Sequence, residues 1–95
     1  MAEGPQRRLA VLLEDAGSAH HAYEVELGRE DPGWPAWYAG WLLQNGLREL
    51  MQPAPDAATL EHALVTAEAA YAEQDPDEPW PGFYAGYLLS HLRGG

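Results

Sequence analysis

The stretch Trp34-Pro35-Ala36-Trp37-Tyr38-Ala39-Gly40-Trp41-Leu42-Leu43 returns as Trp80-Pro81-Gly82-Phe83-Tyr84-Ala85-Gly86-Tyr87-Leu88-Leu89, displaced by 46 positions. Seven of the ten positions are identical, and the other three keep aromatic for aromatic or small for small. So dense a match in a short chain means that one supersecondary unit occurs twice. Each copy opens on Trp-Pro, and a proline in the first turn of a helix loses no hydrogen bond. The second helix is therefore expected from about Trp34 to about Leu50, with Gly46 loosening its end, and the fourth from about Trp80 to about Leu92.

Upstream of each aromatic stretch runs an amphipathic helix. Leu9, Leu12, Leu13, Ala16, His20, Tyr23 and Leu27 fall at helical spacing on one stripe, and Leu60, Ala63, Leu64, Ala67, Tyr71 and Gln74 repeat it. Gly17 interrupts the first stripe, costs about 1 kcal/mol against alanine and marks a place for a kink. Asp56, just past Pro53-Ala54-Pro55, is placed to cap the second long helix. The long helices align at an offset of 48, Leu12 with Leu60 and Tyr23 with Tyr71, so the two-residue difference falls in the connecting loops. Those loops, Glu30-Asp31-Pro32-Gly33 and Asp75-Pro76-Asp77-Glu78-Pro79, are turn chemistry.

The expected architecture is all-α: four helices as two tandem αα-hairpins, residues 6–50 and 56–93, with an approximate internal two-fold. All 95 residues form one domain, since neither hairpin alone has the residues to bury its stripe. Small residues on the aromatic helices suit close approach, so these two helices are expected as the central pair, crossing at Gly40 and Gly86. The same alignment makes His20 and Glu68 pseudo-equivalent, and a two-fold passing between the long helices would set them face to face.

Composition narrows the function classes. With 46% hydrophobic residues the chain has material for a core despite 15 acidic residues against 5 arginines and no lysine. Missing lysine beside abundant Ala, Gly, Arg and Pro reads as codon bias from a G+C-rich genome. A net charge of −10 repels phosphate backbones, which argues against nucleic acid as a partner. No cysteine is present, so disulfide frameworks, thiolate catalysis and Cys-based zinc sites are excluded together. No run approaches the ~18 apolar residues of a membrane span, and Met1 to Arg8 leads into no signal-peptide core. A cytoplasmic protein is expected, without a cofactor.

The aromatic helices carry the first functional hypothesis. A helix apolar all round is buried on both sides, or buried on one and engaged on the other. Four tryptophans exceed what a core of this size needs, and tryptophan and tyrosine favour interfaces. Trp34, Trp37, Tyr38, Trp41, Trp80, Phe83, Tyr84 and Tyr87 are therefore the candidate surface for a dimer, a protein partner or a small apolar ligand. With acidic residues on the outer faces of the long helices, part of Trp34, Trp37, Trp41 and Tyr87 would lie bare, and a second copy of the chain is the common cover, giving a homodimer.

The second hypothesis is a small metal-dependent enzyme. Metal or acid–base chemistry has His20, His21, Glu24, Asp31, His62 and His91 to draw on. His20 and Glu24 stand at i, i+4, a spacing that sets two ligands on one helix face, with His21 beside them. The signal is weak, since the second repeat has Glu68 and Ala69 in place of the two histidines. No Gly-x-Ser-x-Gly, phosphate-binding loop or dinucleotide fingerprint occurs, and non-catalytic interaction is the leading expectation.

Ala19-His20-His21 followed by Asp31-Pro32-Gly33-Trp34-Pro35-Ala36-Trp37-Tyr38-Ala39-Gly40-Trp41-Leu42 resembles an uncharacterised family of small bacterial helical proteins with an Ala-His-His … Asp-Pro-x-Trp-Pro-x-Trp-Tyr-Ala-x-Trp-Leu signature. The resemblance covers residues 9–43 directly and the second half through the internal repeat. Gly33 stands where that pattern usually has aspartate. The resemblance implies a helical fold and no particular activity.

Overall fold

The computed structural model describes residues 4–92 and contains only helices among them: α1 (Pro5–Leu27), α2 (Trp34–Gln44), α3 (Leu47–Leu50), α4 (Ala57–Gln74) and α5 (Trp80–Leu92). Both Trp-Pro pairs begin helices as their sequence dictates. Asp56 caps α4, its Oδ1 accepting the Thr59 N–H at 2.8 Å. At the far end of α1 the Gly28 N–H returns to the carbonyls of Glu24 and Val25.

Five helices stand where four were expected, because the second breaks in its last third. Gly46 adopts φ 133°, a backbone conformation that L side chains rarely take, and the helical run stops at Gln44 before restarting as the single turn α3. That turn brings Leu47 and Met51 into the core, which a straight continuation of α2 would carry past it. α1, by contrast, runs unbroken through Gly17. The missing side chain there serves packing: a Cβ would meet Trp80 Cζ2 at 3.1 Å and Tyr38 Oη at 3.5 Å. Gly17 is the seat on which the Trp80 indole rests.

The packing order also differs from expectation. α1 packs chiefly on α5 and α2 chiefly on α4, with further contacts between α4 and α5 and between α1 and α2. Among the described residues the backbones of α2 and α5 make no close approach, so they are not a central pair crossing at Gly40 and Gly86. Gly40 faces open space, and Gly86 lies against the Gln6 side chain. The reason is size: the Trp and Tyr side chains occupy the space between the aromatic helices, while Ala39 and Ala85, both buried, leave room for a neighbouring helix.

The core is chiefly aliphatic. Leu9, Leu13 and Ala16 of α1, Leu42 of α2, Leu60, Leu64 and Ala67 of α4 and Leu88 of α5 are fully buried, Tyr84 is buried with them, and the other aromatic side chains of α2 and α5 pack around them half-buried. Among the described residues no helix is long and apolar enough to cross a membrane.

Candidate functional site

Where α1, α2, α4 and α5 meet, a cleft of about 370 Å³ opens. Its walls are Trp34 and Tyr38 from α2 and Trp80 and Tyr84 from α5. The four rings form a chain of neighbours set nearly at right angles. Trp34 meets Tyr38 at 5.6 Å and 86°, Tyr38 meets Trp80 at 6.3 Å and 71°, and Trp80 meets Tyr84 at 5.1 Å and 70°. Such edge-to-face contacts satisfy the ring quadrupoles and build corners rather than a flat stack.

One end of the cleft is closed by a polar network anchored on α1. His20, only 7% exposed, places Nε2 3.1 Å from Asp31 Oδ2. A carboxylate only accepts, so Nε2 is the protonated nitrogen of that bond. Nδ1 lies 3.9 Å from Glu24 Oε1. Glu24 Oε2 in turn accepts the Asp31 N–H at 2.9 Å, and Asp31 Oδ1 accepts the Gly33 N–H at 2.9 Å. The His20 ring packs against Tyr38 at 5.1 Å and edge-on to Trp37 at 4.9 Å. These contacts tie the α1–α2 loop to α1 and give the Ala-His-His and Asp-Pro elements of the sequence one shared structural purpose.

Hydrogen bonding from His20 holds the Asp31 carboxyl below its ordinary pKa; partial burial opposes this and the Gly33 N–H supports it. Burial acts oppositely on the phenols. It raises Tyr38, with Glu24 adding to the effect, and pushes Tyr84 up to about 12 with help from Glu68, Tyr38 and Tyr71. Both tyrosines are therefore neutral throughout the physiological range.

Glu30 and Glu68 complete the lining at the mouth. Both are exposed, and among the described residues neither makes a hydrogen bond or ion pair. His20 and Glu68 thus lie on one cleft, as the repeat alignment suggests, but His20 pairs with Asp31 and forms no bond to Glu68. The backbones of the long helices α1 and α4 do not approach closely, which keeps the two side chains from meeting across an axis.

Of the eight aromatic residues singled out from the sequence, four line this cleft and four do not. Trp37 and Trp41 stack at 6.5 Å on a ridge outside it, joined by Tyr23 stacked on Trp37 at 5.6 Å. Phe83 and Tyr87 stack at 6.4 Å along α5, and Tyr87 stacks on His91 at 4.0 Å. Trp34, Trp37, Trp41 and Tyr87 are all half-buried, each with a ring partner, so part of each side chain stays at the surface. Among the described residues the most exposed large apolar side chain is Val25, at 66%. Among the described residues no three His, Cys, Asp or Glu side chains are gathered as metal ligands, the set His20, His21 and Glu24 included, and His21 and His62 are exposed.

The carboxylates Glu24, Glu30, Asp31 and Glu68 were not part of the aromatic surface drawn from the sequence. Glu24 and Asp31 stood among the sequence candidates for metal or acid–base chemistry, the alignment with His20 pointed to Glu68, and Glu30 was read only as turn chemistry. A larger groove of about 900 Å³ between α1 and the start of α5 has Trp80 as its one aromatic lining residue and lacks this convergence. Comparison of the chain with protein-family profiles, with curated proteins and with solved structures found no match.

Proposed function

We propose that the chain is a non-catalytic binding module, built as two αα-hairpins related by an approximate internal two-fold, whose ligand lodges in the cleft between them. One observation carries the reading. Residues at equal repeat positions, Trp34 with Trp80 and Tyr38 with Tyr84, line the same cleft together with the aligned pair His20 and Glu68. Ring contacts recur in the same sense: Tyr23 on Trp37 at 5.6 Å matches Tyr71 on Phe83 at 5.3 Å. A volume of about 370 Å³ sits at the small end of the ~300–1,000 Å³ in which ligand pockets fall, so the ligand is small.

A backbone-amide NMR titration with a fragment set tests this. Shifts should cluster on the Trp34, Tyr38, Trp80 and Tyr84 signals; binders mapping consistently elsewhere would remove the cleft from the reading. The metal-dependent alternative with His20, His21 and Glu24 is separated by the metal content of purified protein, with a His20→Ala control.

The Trp37–Trp41 ridge supports a second role. Two stacked indoles outside the cleft, flanked by exposed Tyr23, suit a self-complementary two-fold contact, and we assign the expected homodimer to this ridge. Sedimentation at micromolar concentration should give a dimer that Trp41→Ser converts to monomer. The reading also keeps the protein cytoplasmic and within the small bacterial helical family that its signature resembles.

A further inference from the structure

We infer that the ligand of the cleft is a small alkylated ammonium ion, held by the Trp34–Tyr38–Trp80–Tyr84 box and by the carboxylates at its mouth. The inference rests on the cleft being a ligand site and names the chemistry that this lining recognises.

Charge decides the sign of the ligand. Four carboxylates line the cleft, with His20 as the sole basic side chain and no arginine. The lining is therefore net negative whichever protonation state His20 adopts. Asp31 is engaged with His20, and Glu24 takes a backbone N–H from Asp31, but Glu30 and Glu68 have no counter-charge among the described residues. An anion would meet repulsion from every side. A neutral apolar ligand would fill the walls while drying the carboxylates without compensation.

The walls decide the kind of cation. A metal ion needs converging oxygen or nitrogen ligands, and among the described residues no such group is formed. A primary ammonium is compact, strongly hydrated and seeks hydrogen-bond acceptors on all its protons. Four of the nine lining residues are aromatic instead, with rings crossing at 86°, 71° and 70°. Rings at right angles surround a rounded cation on several sides, and indole is the best of the π faces for it. Methyl groups on nitrogen shed hydration and spread the charge over a surface that fits such walls. Glu30 and Glu68 then supply long-range attraction without direct hydrogen bonds. Tyr38 and Tyr84 stay neutral and add no competing charge.

A free ion and a lipid headgroup share this chemistry. The headgroup carries a phosphate next to its ammonium, which would lie among Glu30, Asp31 and Glu68, so the free ion is the ligand that fits.

The test compares choline, ethanolamine and 3,3-dimethyl-1-butanol, the neutral shape analogue of choline, by calorimetry and NMR on the full chain. Choline is expected to bind about tenfold or more tightly than either, a gap of about 1.4 kcal/mol or more. Trp80→Leu should abolish choline binding, and Glu68→Gln, a change on an exposed side chain, should weaken choline about threefold without weakening the neutral analogue. The chain should remain in the supernatant with phosphatidylcholine vesicles. Equal binding of choline and its neutral analogue overturns the cation inference but leaves the cleft a ligand site. Equal binding of ethanolamine overturns the alkylated class. Undiminished choline affinity in both variants, or co-sedimentation with the vesicles, removes the free ion from this cleft. No cleft shifts with any probe or fragment would sink both readings.

Discussion

His20 Nε2 and Asp31 Oδ2, 3.1 Å apart, join the middle of α1 to the loop that launches α2. The bond lies in the lining of the aromatic cleft, so one side chain both lines the cleft and ties the α1–α2 loop to α1. His20→Ala would delete a buried ring that contacts Tyr38 and Trp37 and leave Asp31 with the Gly33 N–H as its remaining partner. A loss of about 1–3 kcal/mol is expected, read from urea unfolding at unchanged slope.

Acid should unfold the protein partly through two identifiable carboxyls. Asp31 is held below its ordinary value of 3.8 by His20, and Asp56 is lowered by side-chain and backbone hydrogen bonds from Thr59, with burial opposing in both. A carboxyl that ionises more readily when folded stabilises the fold above the unfolded value, and that stabilisation is lost as pH falls through the folded one. Thermal melting should therefore hold level through neutral pH and decline once ordinary carboxylates begin to protonate. Asp31→Asn should start from a lower melting temperature at pH 7 and decline less steeply in acid. An unchanged slope would count against the His20 bond.

Tyr84 gives the alkaline counterpart. Its phenol is pushed up to about 12, first by burial and then by Glu68, Tyr38 and Tyr71, so the fold favours the protonated form. The stability contributed is complete below the ordinary value of 10.0 and disappears as pH rises through about 12. Absorbance titration of tyrosinate should show one residue ionising last, in step with unfolding. Glu68→Gln should bring that last step down, because one negative neighbour is gone.

Gly17→Ala tests the seat of Trp80. Alanine gains about 1 kcal/mol of helix propensity, whereas its Cβ would press on Trp80 Cζ2 from 3.1 Å. Overpacking typically costs about 1–3 kcal/mol, so net stability should change little or fall slightly. The clearer readout is the indole itself: Trp80 must shift, and with it the walls formed with Tyr38 and Tyr84. The fluorescence maximum and cleft ligand affinity should both change while the helical circular dichroism stays the same. Gly40→Ala, facing open space, should leave both untouched.

Helix starts and caps were legible in the sequence because they are local. Trp-Pro at Trp34 and Trp80, and Asp56 three residues before Thr59, act through the backbone beside them. The stripe of α1 was legible as far as Leu9, Leu13, Ala16 and His20, but Leu27 is exposed, and Tyr23 is exposed although its ring stacks on Trp37. The partner of each aromatic helix was not legible. A run such as Trp34 to Leu43 is apolar on every side, so periodicity carries no information about which side meets the core. Side-chain volume settled that question, placing alanines inward and rings in the gap. Glu24 and Asp31 were legible as polar candidates and Glu68 as the counterpart of His20, but their convergence was not, since Glu24 and Glu68 lie on different helices and Glu30 and Asp31 on a loop.

The pairing of α1 with α5 joins the two ends of the described chain. The face of α1 that holds Leu9, Leu13 and Ala16 therefore lacks its chief cover until α5, the most distant described helix in chain order, has been made. A nascent chain ending before Trp80 carries its longest helix without its chief neighbour. The core of such a fold closes late, because the first described helix waits for the last one, and any segment that lacks α5 leaves leucines of α1 exposed.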